Sequence, residues 1–464
     1  MCPSLLRSVW GTFTALQWCF WGILGAEHSG RYGMVFDAGS SHTSLYVYEW
    51  DSDKENDTGV VSQTLSCDVQ GPGISSYANN PPKAGDSLKE CLDKALKVVP
   101  TEKQRDVPVY LGATAGMRLL SSAADQILAE ITKTMQEYPV AFRGARIITG
   151  EEEGAYGWIT INYLLESFTK VGDRQNTHSF DTNILGALDL GGASTQISFI
   201  PKGSVINWNE TSRFMLYGYN YNIYTHSYLC YGQNEMVKRL AKELILESSS
   251  STRVEHPCYP KDYNETISLS SFHTSPCTNA SDPRLSPSDR NVTLEGRGNA
   301  SGCLVAIRKL FNFSACGQSQ DCTFDGVYQP PISGQFFVRQ TLSPHLLSCT
   351  CSPGTTLSGC ALYPEENPGR LPKYCANANY ILTLLLDAYK FNESSWNNIV
   401  FQMKAGSADV GWTLGYMLNL TNMIPAEAPG LLKGQAPSLW AAAVAFITLT
   451  LALGLVALLL LLRV

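Results

Sequence analysis

The fold of this chain is decided by one short stretch, Ala187-Leu-Asp-Leu-Gly-Gly-Ala-Ser-Thr-Gln-Ile-Ser-Phe199. Its pattern predicts a short apolar strand ending near Asp189, a turn rich in Gly and Ser, and a second, alternating strand. Because Gly191 and Gly192 have no Cβ, the turn can curl tightly and bring backbone N–H groups up to an anion. Side-chain donors follow at three successive positions, Ser194, Thr195 and Gln196.

The chain contains a second stretch of the same kind, Met34-Val-Phe-Asp-Ala-Gly-Ser-Ser-His-Thr-Ser-Leu-Tyr-Val-Tyr48. In the two stretches Asp37 aligns with Asp189, and Gly39 aligns with Gly191. The pair predicts two related half-domains that face each other and grip a polyphosphate, with a cation held by the two aspartates. Two ordinary β-hairpins with glycine turns are the alternative, which explains less well why both copies place an Asp and a hydroxyl cluster alike.

Length and charge narrow the classes of function. The chain has 464 residues, enough for two domains of ordinary size. Charged residues make up only 16% of the chain, the net charge is −7, and no basic stripe is visible. We therefore expect no polymeric nucleic acid as a partner. The P-loop motif G-x-x-x-x-G-K-S/T is absent from the sequence, so a P-loop enzyme is excluded.

Apolar segments indicate a membrane protein whose bulk lies outside the cytosol. Residues 439–462 carry no charge and are long enough for a transmembrane helix, and Arg463 after them favours the cytoplasmic side. Residues 1–26 are expected to be either a signal peptide or an N-terminal membrane anchor. Residues 427–438, which contain Pro and Gly, are the predicted stalk. The membrane helices also offer a surface for homo-oligomer formation.

Cysteines and glycosylation sequons agree with that placement. The 14 cysteines are typical of an oxidising compartment. Cys67 and Cys91 bracket a Pro/Gly-rich loop, while Cys316 and Cys322 are close enough in sequence for a local bridge. A zinc site is disfavoured, because no C-x₂-C pair is present in the sequence and the histidines do not cluster. N-glycosylation is predicted at the N-x-S/T sequons, which begin at Asn56, Asn209, Asn264, Asn279, Asn291, Asn299, Asn312, Asn392 and Asn419.

The residues of the two turns indicate hydrolysis of a metal-bound phosphoanhydride. Neither turn contains Lys or Arg, so charge neutralisation is expected from a divalent cation held by Asp37 and Asp189, directly or through water. Hydrolysis also needs a carboxylate to orient or deprotonate a water. Glu153, at a predicted helix start, is the best candidate. Glu151 and Glu152 are its rivals, and the alternative for the whole triplet is stabilisation of the helix terminus.

Periodicity and composition predict the remaining elements. A hairpin over residues 33–50 is followed by a predicted loop over 51–82. Helical spacing predicts further helices over 86–98, 121–138, 238–246 and 380–389, and an apolar run predicts another over 151–165. Residues 247–302, rich in Ser, Thr, Asn and Pro, are expected to form exposed, disulfide-tied loops. Residues 410–418 are expected to return to the core as a strand or a helix.

Five segments occur in an order that resembles the apyrase regions of the ecto-nucleoside triphosphate diphosphohydrolases. The similarity covers roughly residues 33–335 and 361–462, and it is strongest to the cell-surface members, the liver canalicular subtype among them. The five segments are Val35-Phe-Asp-Ala-Gly-Ser-Ser-His-Thr43, Gly112-Ala-Thr-Ala-Gly-Met-Arg118, Thr149-Gly-Glu-Glu-Glu-Gly-Ala-Tyr-Gly-Trp158, Leu188-Asp-Leu-Gly-Gly-Ala-Ser-Thr-Gln196 and Val410-Gly-Trp-Thr-Leu-Gly-Tyr416.

The resemblance implies an α/β, actin-like fold with two ribonuclease-H-like lobes and the active site in the cleft between them. Lobe I is expected at 33–150, lobe II at 151–400, and a return to lobe I at 401–426. The implied activity is stepwise removal of phosphate from the extracellular nucleotides ATP, ADP, UTP and UDP, with Ca²⁺ or Mg²⁺. The implied location is the plasma membrane, with the catalytic domain outside the cell.

The resemblance also implies roles for single residues. Asp37 and Asp189 orient waters on the metal, Glu153 is the catalytic base, and Trp412 lies by the base or metal region. Groups that help place the attacking water or assist catalysis are Thr114, Gln196 and Ser194. Phosphate-binding residues are Ser40, Ser41, His42, Gly191, Gly192, Ala193 and Ser194. Further implied disulfides are Cys230–Cys277, Cys258–Cys303 and a bridge from Cys375 to Cys349, Cys351 or Cys360.

The chain departs from that family over residues 336–360, where the relatives have an aromatic stretch with a Tyr that stacks on the nucleobase. This interval contains no Tyr, and Gln233 stands where several relatives have a basic residue near the base. Base binding and the folding of lobe II are therefore the open points. An inactive or weakly active nucleotide-binding ectodomain is one alternative, and an actin-like kinase is another.

Overall fold

The computed structural model describes the chain over residues 31–50, 61–120, 123–168, 184–203, 211–216, 219–249, 252–278, 282–285, 290–319, 321–339, 369–405, 408–423, 444–451 and 453–454. Its strands are β1 (Arg31–Ala38), β2 (Thr43–Trp50), β3 (Val61–Asp68), β4 (Pro108–Ala113), β5 (Ala141–Ile147), β6 (Gly186–Leu190), β7 (Ser194–Phe199), β8 (Thr211–Leu216), β9 (Tyr219–Leu229), β10 (Arg253–His256), β11 (Asn264–Ser268), β12 (Asn291–Gly296), β13 (Phe336–Arg339), β14 (Ile399–Phe401), β15 (Lys404–Ala405) and β16 (Ala408–Asp409).

The helices connect and cover these strands. The α-helices are α1 (Pro82–Val98), α2 (Ala115–Arg118), α3 (Ala123–Gln136), α4 (Gly150–Leu164), α5 (Gln233–Glu247), α6 (Ala300–Arg308), α7 (Tyr374–Leu382), α8 (Glu393–Trp396) and α9 (Trp412–Met423). A π-helical turn, Thr383–Ala388, continues α7. Short 3₁₀ segments are Ile74–Tyr77, Gln104–Asp106, Leu269–Thr274, Pro283–Leu285, Phe313–Cys316 and Leu371–Lys373.

The first sheet has the strand order β3-β2-β1-β4-β5. Its antiparallel half, β1 to β3, is made of consecutive strands, while β4 and β5 join β1 in parallel. Both faces of the central strand are buried, since Phe36 packs in the cluster under α1 and α3 and Val35 packs in the cluster of α4 and α9. Burial on both faces is typical of a central parallel strand.

The second sheet repeats this topology, with the order β14-β13-β6-β7-β9-β8. Here β6, β7 and β9 form the antiparallel half, and β13 and β14 join β6 in parallel. The turns of the two hairpins have the same length, because Ala38 pairs with Thr43 in the first and Leu190 pairs with Thr195 in the second. The expectation of an α/β, actin-like fold with two related halves is therefore confirmed.

Two helices form the layer between the sheets. Helix α4 contacts β6, β7 and β9 of the second sheet, while α9 packs on α4 and also contacts β1, β2 and β3 of the first. Their approach is very close, since a Cβ on Gly415 of α9 would overlap the carbonyl oxygen of Tyr156 in α4. Residues 410–418 thus return to the core as a helix. The lobe boundaries at 150 and 400 stay predictions.

Two predicted loops are wrong. Residues 61–68, inside the predicted loop over 51–82, form β3 at the edge of the first sheet. Residues 253–296, inside the predicted loops over 247–302, contain a three-stranded sheet of order β10-β12-β11. That sheet has its own apolar core, in which Val254, Leu269 and Leu294 pack with α5. The strands are short, from four to six residues, and lie in a stretch rich in Ser, Thr, Asn and Pro, which favoured a loop prediction.

The predicted disulfides are present where the structure describes both cysteines: Cys67–Cys91, Cys230–Cys277, Cys258–Cys303 and Cys316–Cys322. Cys375 is also disulfide-bonded, and its partner lies outside the described residues. Of the sequon asparagines, Asn56, Asn209 and Asn279 lie outside them as well. Asn419 is half-buried in α9, and the remaining five are exposed.

The predicted targeting segments fall mostly outside the described residues. Nothing is described of 1–26 or 427–438, and within 439–462 the description covers 444–451 and 453–454, all helical. Among the described parts of the chain, no helix reaches the length and hydrophobicity needed to cross a membrane.

Candidate active site

The two Gly/Ser turns meet at a cleft between the sheets. A Cβ on Gly192 in the second turn would overlap the Ser40 hydroxyl of the first, so the turns are in direct contact. The cleft holds a cavity of ≈ 260 Å³. Its lining includes the predicted site residues Asp37, Ser40, Ser41, His42, Thr114, Glu153, Asp189, Gly191, Gly192, Ala193 and Ser194.

Asp37 ends the first strand of its sheet and faces the cleft. It pairs with Ser44 across β2 and with Gly112 across β4, which fixes its position at the strand end. Its side chain is buried, and Oδ1 has no hydrogen bond to any described residue. Burial raises the pKa of this carboxyl, and the positive charge of Arg339, followed by the Trp412 indole, opposes the rise.

Trp412 lies on the Asp37 side of the site. The indole is buried, and a Cβ on Gly112 would overlap it, so this glycine makes room for the ring. Trp412 is not among the described residues that line the cleft. Its place by the base or the metal region stays a prediction.

The three adjacent glutamates have three different environments. Glu152 forms a capping box with Thr149 at the start of α4 and pairs with Arg146 at 2.7 and 2.9 Å. Glu151 is exposed. Glu153 is only 8% exposed and points into the cleft. Glu152 is therefore the residue that stabilises the helix end, and Glu153 is the one that faces the cleft.

Glu153 is held by polar groups from two other elements, β7 and α2. The Gln196 amide donates to its Oε2 at 3.1 Å, and Arg118 of α2 donates to the same oxygen. Gln196 also donates to Ser194 Oγ at 2.7 Å and to Ser227 Oγ at 3.1 Å. Burial raises the pKa of Glu153 to about 8, with Arg118 opposing the rise and Asp189 adding to it. A carboxyl with such a pKa accepts a proton near neutral pH.

Thr114 stands at the junction of β4 and α2. Its backbone N–H donates to the Ala38 carbonyl at 3.1 Å, next to Asp37, and its side chain is buried at the cleft. The second turn is tied in the same way, since the Gly191 N–H donates to the Ser194 carbonyl at 3.0 Å. Both turns are therefore fixed by the backbone before any ligand binds.

Two arginines in the site were not predicted. The turns themselves contain no Lys or Arg, which led to the expectation that a divalent cation neutralises charge; the two arginines add positive charge beside Glu153 and Asp189. Arg118 reaches Glu153, and Arg339 reaches Asp189, with 3.5 Å between Nη1 and Oδ2. Arg118 ends the segment that begins at Gly112, so its place in a recurring motif was a usable signal. Arg339 lies in the interval over 336–360 where a departure from the family was expected, and none of the five segments points to it.

The far wall of the cleft is formed by α5 and by residues near the start of α7. Gln233, predicted to lie near the base, does line the cleft. The wall also carries a cationic and aromatic set that the sequence analysis missed, comprising Arg370, Lys373, Tyr374 and Asn377. These residues are brought to the cleft by a part of the chain distant from both turns.

The donor set fits a hard divalent cation. Asp37 offers a buried carboxylate oxygen without a hydrogen bond to a described residue, and Asp189 faces the same cleft. Within the described ranges no three acidic, His or Cys side chains converge. Ca²⁺ and Mg²⁺ take six or more oxygen ligands, so most ligands here have to be waters or phosphate oxygens.

Comparisons with known proteins identify the family of this chain. The model of the GDA1/CD39 (nucleoside phosphatase) family matches residues 24–341 and 355–434, so the expected departure over 336–360 is narrowed to 342–354. Ectonucleoside triphosphate diphosphohydrolase 8 of Gallus gallus is similar, with 51% identity over 93% of this chain and 91% of that protein. The human protein of the same name is 46% identical over 91% of this chain and 88% of its own length. The solved structure of nucleoside triphosphate hydrolases from Neospora caninum, at 14% identity, shares the fold with a TM-score of 0.61 over 90% of this chain and 97% of that one. On these matches, the chain belongs to the GDA1/CD39 (nucleoside phosphatase) family.

Proposed function

We propose that this protein hydrolyses nucleoside tri- and diphosphates to monophosphates at the cell surface, with ATP, ADP, UTP and UDP as substrates. The observation that carries the proposal is one buried carboxylate, Glu153, placed in a cleft between two Asp-bearing Gly/Ser turns. Relatives named ectonucleoside triphosphate diphosphohydrolase support it, since they match over nearly the whole chain.

Glu153 is the proposed base that takes a proton from the attacking water. The Gln196 amide and Arg118 bind one carboxylate oxygen, Oε2, and so fix the orientation of the carboxyl. Ser194, bonded to the same amide, and Thr114, at the junction of β4 and α2, are proposed to orient that water. Positioning of this kind is the main protein contribution to phosphoryl transfer, because little covalent chemistry falls to the enzyme.

Asp37 and Asp189 are the proposed holders of Ca²⁺ or Mg²⁺, through water. When bound, such a cation neutralises charge on the phosphate oxygens. The phosphates themselves are proposed to lie against the two turns, where backbone and hydroxyl donors face the cleft. Those residues are Ser40, Ser41, His42, Gly191, Gly192, Ala193 and Ser194.

The nucleobase is proposed to contact the far wall of the cleft. The sequence offers no Tyr over 336–360, but Tyr374 lines the cleft together with Arg370 and Gln233. A base stacked on an aromatic ring gains roughly 1–3 kcal/mol. Tyr374 therefore supplies a stacking surface that does not depend on the departing segment.

The membrane arrangement is part of the proposal. Residues 439–462 are proposed to span the membrane, with the catalytic domain outside the cell and homo-oligomers formed through membrane helices. In support, the apolar side chains of Phe446, Leu449 and Leu451 are between 57% and 68% exposed, as expected of groups that face lipid. The sequons described as exposed agree with an extracellular, glycosylated domain.

An inactive or weakly active ectodomain remains the second candidate, and one observation favours it. Arg339 places a positive charge beside Asp189, where a metal is expected. Against loss of the fold, Phe336 and Phe337 at the start of the departing segment are buried in the second sheet between β6 and β14. The remainder of that segment, 340–360, lies outside the described residues.

Phosphate release by cells that express the full chain tests the proposal. We expect release from ATP and ADP outside intact cells, dependent on added Ca²⁺ or Mg²⁺. Glu153→Gln should lower the rate at least a hundredfold at equal surface expression, since general bases contribute about 10²–10⁴-fold. Glu151→Gln, at the exposed neighbour, is the matched control and should keep full activity. Absence of metal-dependent release from wild-type protein on the cell surface would favour the inactive ectodomain.

A further inference from the structure

Arg339 is paired directly beside a proposed metal-holding residue in the second sheet. It is in register with Asp189 of the parallel neighbour β6, so both side chains leave the sheet on the same face. The Nη1 atom lies 3.5 Å from Asp189 Oδ2, with the two side chains 22% and 17% exposed. The guanidinium therefore occupies the region of the cleft where a cation would be held.

The charge of Arg339 acts on the whole acidic cluster. Its electrostatic partners are Asp189, Asp37 and Glu153, with Tyr46 beside them. Glu153 already has Arg118, so Arg339 is left facing the two aspartates. The guanidinium therefore neutralises part of the negative charge of the two aspartates, as a bound divalent cation would.

The contact is loose enough to be displaced. A single 3.5 Å approach to Asp189 is longer than a bidentate arginine–carboxylate pair, whose N–O distances are about 2.7–2.9 Å. Behind the side chain, next to Gly411, the cavity is only ≈ 10 Å³, about the space of one water. The open space lies on the side of the cleft, so a displaced guanidinium moves towards the phosphate turns.

We propose that Arg339 is an internal counter-ion that competes with the divalent cation for Asp189. It weakens the binding of free Ca²⁺ or Mg²⁺ and, in the absence of metal, gives the cleft a positive charge for polyphosphate. This inference rests on the proposed function in taking Asp37 and Asp189 as holders of the cation and a nucleotide as the polyphosphate. It makes Arg339 a residue that sets the metal requirement of the site.

Two binding measurements on the purified full chain in detergent test this role, and they need no turnover. The first uses Tb³⁺ luminescence, sensitised by the Trp412 indole beside Asp37, with Ca²⁺ as competitor. The second measures ATP binding by calorimetry in EDTA. We expect Arg339→Gln to bind Ca²⁺ on the order of tenfold more tightly and metal-free ATP on the order of tenfold more weakly.

A rise in Ca²⁺ affinity together with a fall in ATP affinity shows that Arg339 acts through its charge, because a structural defect would lower both affinities. Arg339→Lys keeps the charge and should remain within about threefold of wild type in both measurements. Arg370→Gln, which removes another arginine that lines the cleft, should leave Ca²⁺ affinity unchanged. Arg339→Met is a second neutral variant that decides the test if the Gln variant does not fold.

The inference is overturned if neutral variants at 339 bind Ca²⁺ no more tightly than wild type, or if both affinities fall together. An Arg339→Lys protein that binds Ca²⁺ as tightly as the Gln variant also overturns it, because charge would then not be the cause. The Ca²⁺ measurement needs no nucleotide. A protein that releases no phosphate from any nucleotide would therefore refute the proposed function and leave this test valid.

Discussion

The proton affinity of Glu153 is set by opposing neighbours. Its pKa is raised to about 8; burial is the largest cause, and the negative charges of Asp189 and Asp37 contribute to the rise. The cations of Arg118 and Arg339 lower it. A general base has to be deprotonated to act, so turnover should fall as the pH drops below this pKa. The acidic limb of the activity profile is therefore expected well above the usual range for a glutamate.

Arg118 is expected to set the position of that acidic limb. Its guanidinium favours the ionised form of Glu153, so its removal should raise the pKa of the carboxyl further. We predict that Arg118→Gln shifts the acidic limb of log kcat/KM to higher pH by about one unit, while Arg118→Lys shifts it less. Profiles for ATP at saturating Ca²⁺ between pH 5.5 and 9.5 provide the measurement. An unchanged limb with a uniformly lower rate would show that Arg118 only positions the carboxylate.

The glutamate triplet shows what can be learned from local sequence and what cannot. The sequence predicted that one of three adjacent carboxylates belongs to the site, because a motif containing them begins a helix. Successive helical residues differ by about 100° in direction, so only one of them can face the cleft. The choice depends on Arg146 of β5, which draws Glu152 outward. Helical periodicity alone does not reveal that ion pair, so it could not by itself separate Glu153 from its two rivals.

At the scale of elements, the contact of α4 with α9 holds the catalytic helix against both sheets. The Gly415 N–H donates to Thr160 Oγ1 at 2.8 Å, and no side chain separates the two backbones there. Gly154 has a similar function towards the second sheet, where a Cβ would crowd Ser198 and Thr225. The small residues thus let α4 carry Glu153 to the position where the two turns meet.

Alanine substitutions at one glycine of α9 and one of α4 should change the stability of the protein in opposite directions. Gly415→Ala would drive a methyl group into the Tyr156 carbonyl and should destabilise the protein by roughly 1–3 kcal/mol. Gly157 of α4 has nothing within 4 Å of its Cβ position, so Gly157→Ala should stabilise the helix by about 0.5–1 kcal/mol. Thermal unfolding of the two purified variants beside wild type checks the signs. Equal effects would contradict the packing assigned to α9.

Elements with local signals were predicted from the sequence, and those without were not. The hairpins of β1–β2 and β6–β7 and the helices α1, α3 and α5 follow from short-range patterns. Strand β3 was missed because only Val61 and Cys67 are buried, while Gln63 lies on the same inward face and breaks the apolar pattern. The small sheet was missed because its strands gain their core from α5 and from distant disulfides. Burial of these segments is a tertiary property, and their composition does not reveal it.

At the scale of the whole molecule, the site exists only because two copies of one topology face each other. The sequence predicted this pairing from the aligned Asp37 and Asp189, and the direct contact of Ser40 with Gly192 agrees with it. What the sequence did not predict is the content of the cleft beyond the turns. Arg339 and Tyr374 come from segments far from both turns, and chain topology alone brings them there.

The contact between the turns predicts a coupling between residues of the two halves. A Cβ on Gly192 would overlap the Ser40 hydroxyl, so Gly192→Ala should turn that hydroxyl away from the phosphate position. A hydrogen bond to a charged group is worth about 1.5–3 kcal/mol, so Gly192→Ala and Ser40→Ala should each lower kcat/KM for ATP about tenfold or more. Together they should lower it little further, because both remove the same contact.

A double-mutant cycle measures this coupling, and a second serine in the first turn provides the control. Ser41 lies next to Ser40, but its hydroxyl is paired with His42 Nδ1 at 3.1 Å rather than crowded by Gly192. The loss from Ser41→Ala should therefore add fully to the loss from Gly192→Ala. If the losses from Ser40→Ala and Gly192→Ala also add fully, the turns bind phosphate independently. The close approach of the two halves would then serve only to hold them together.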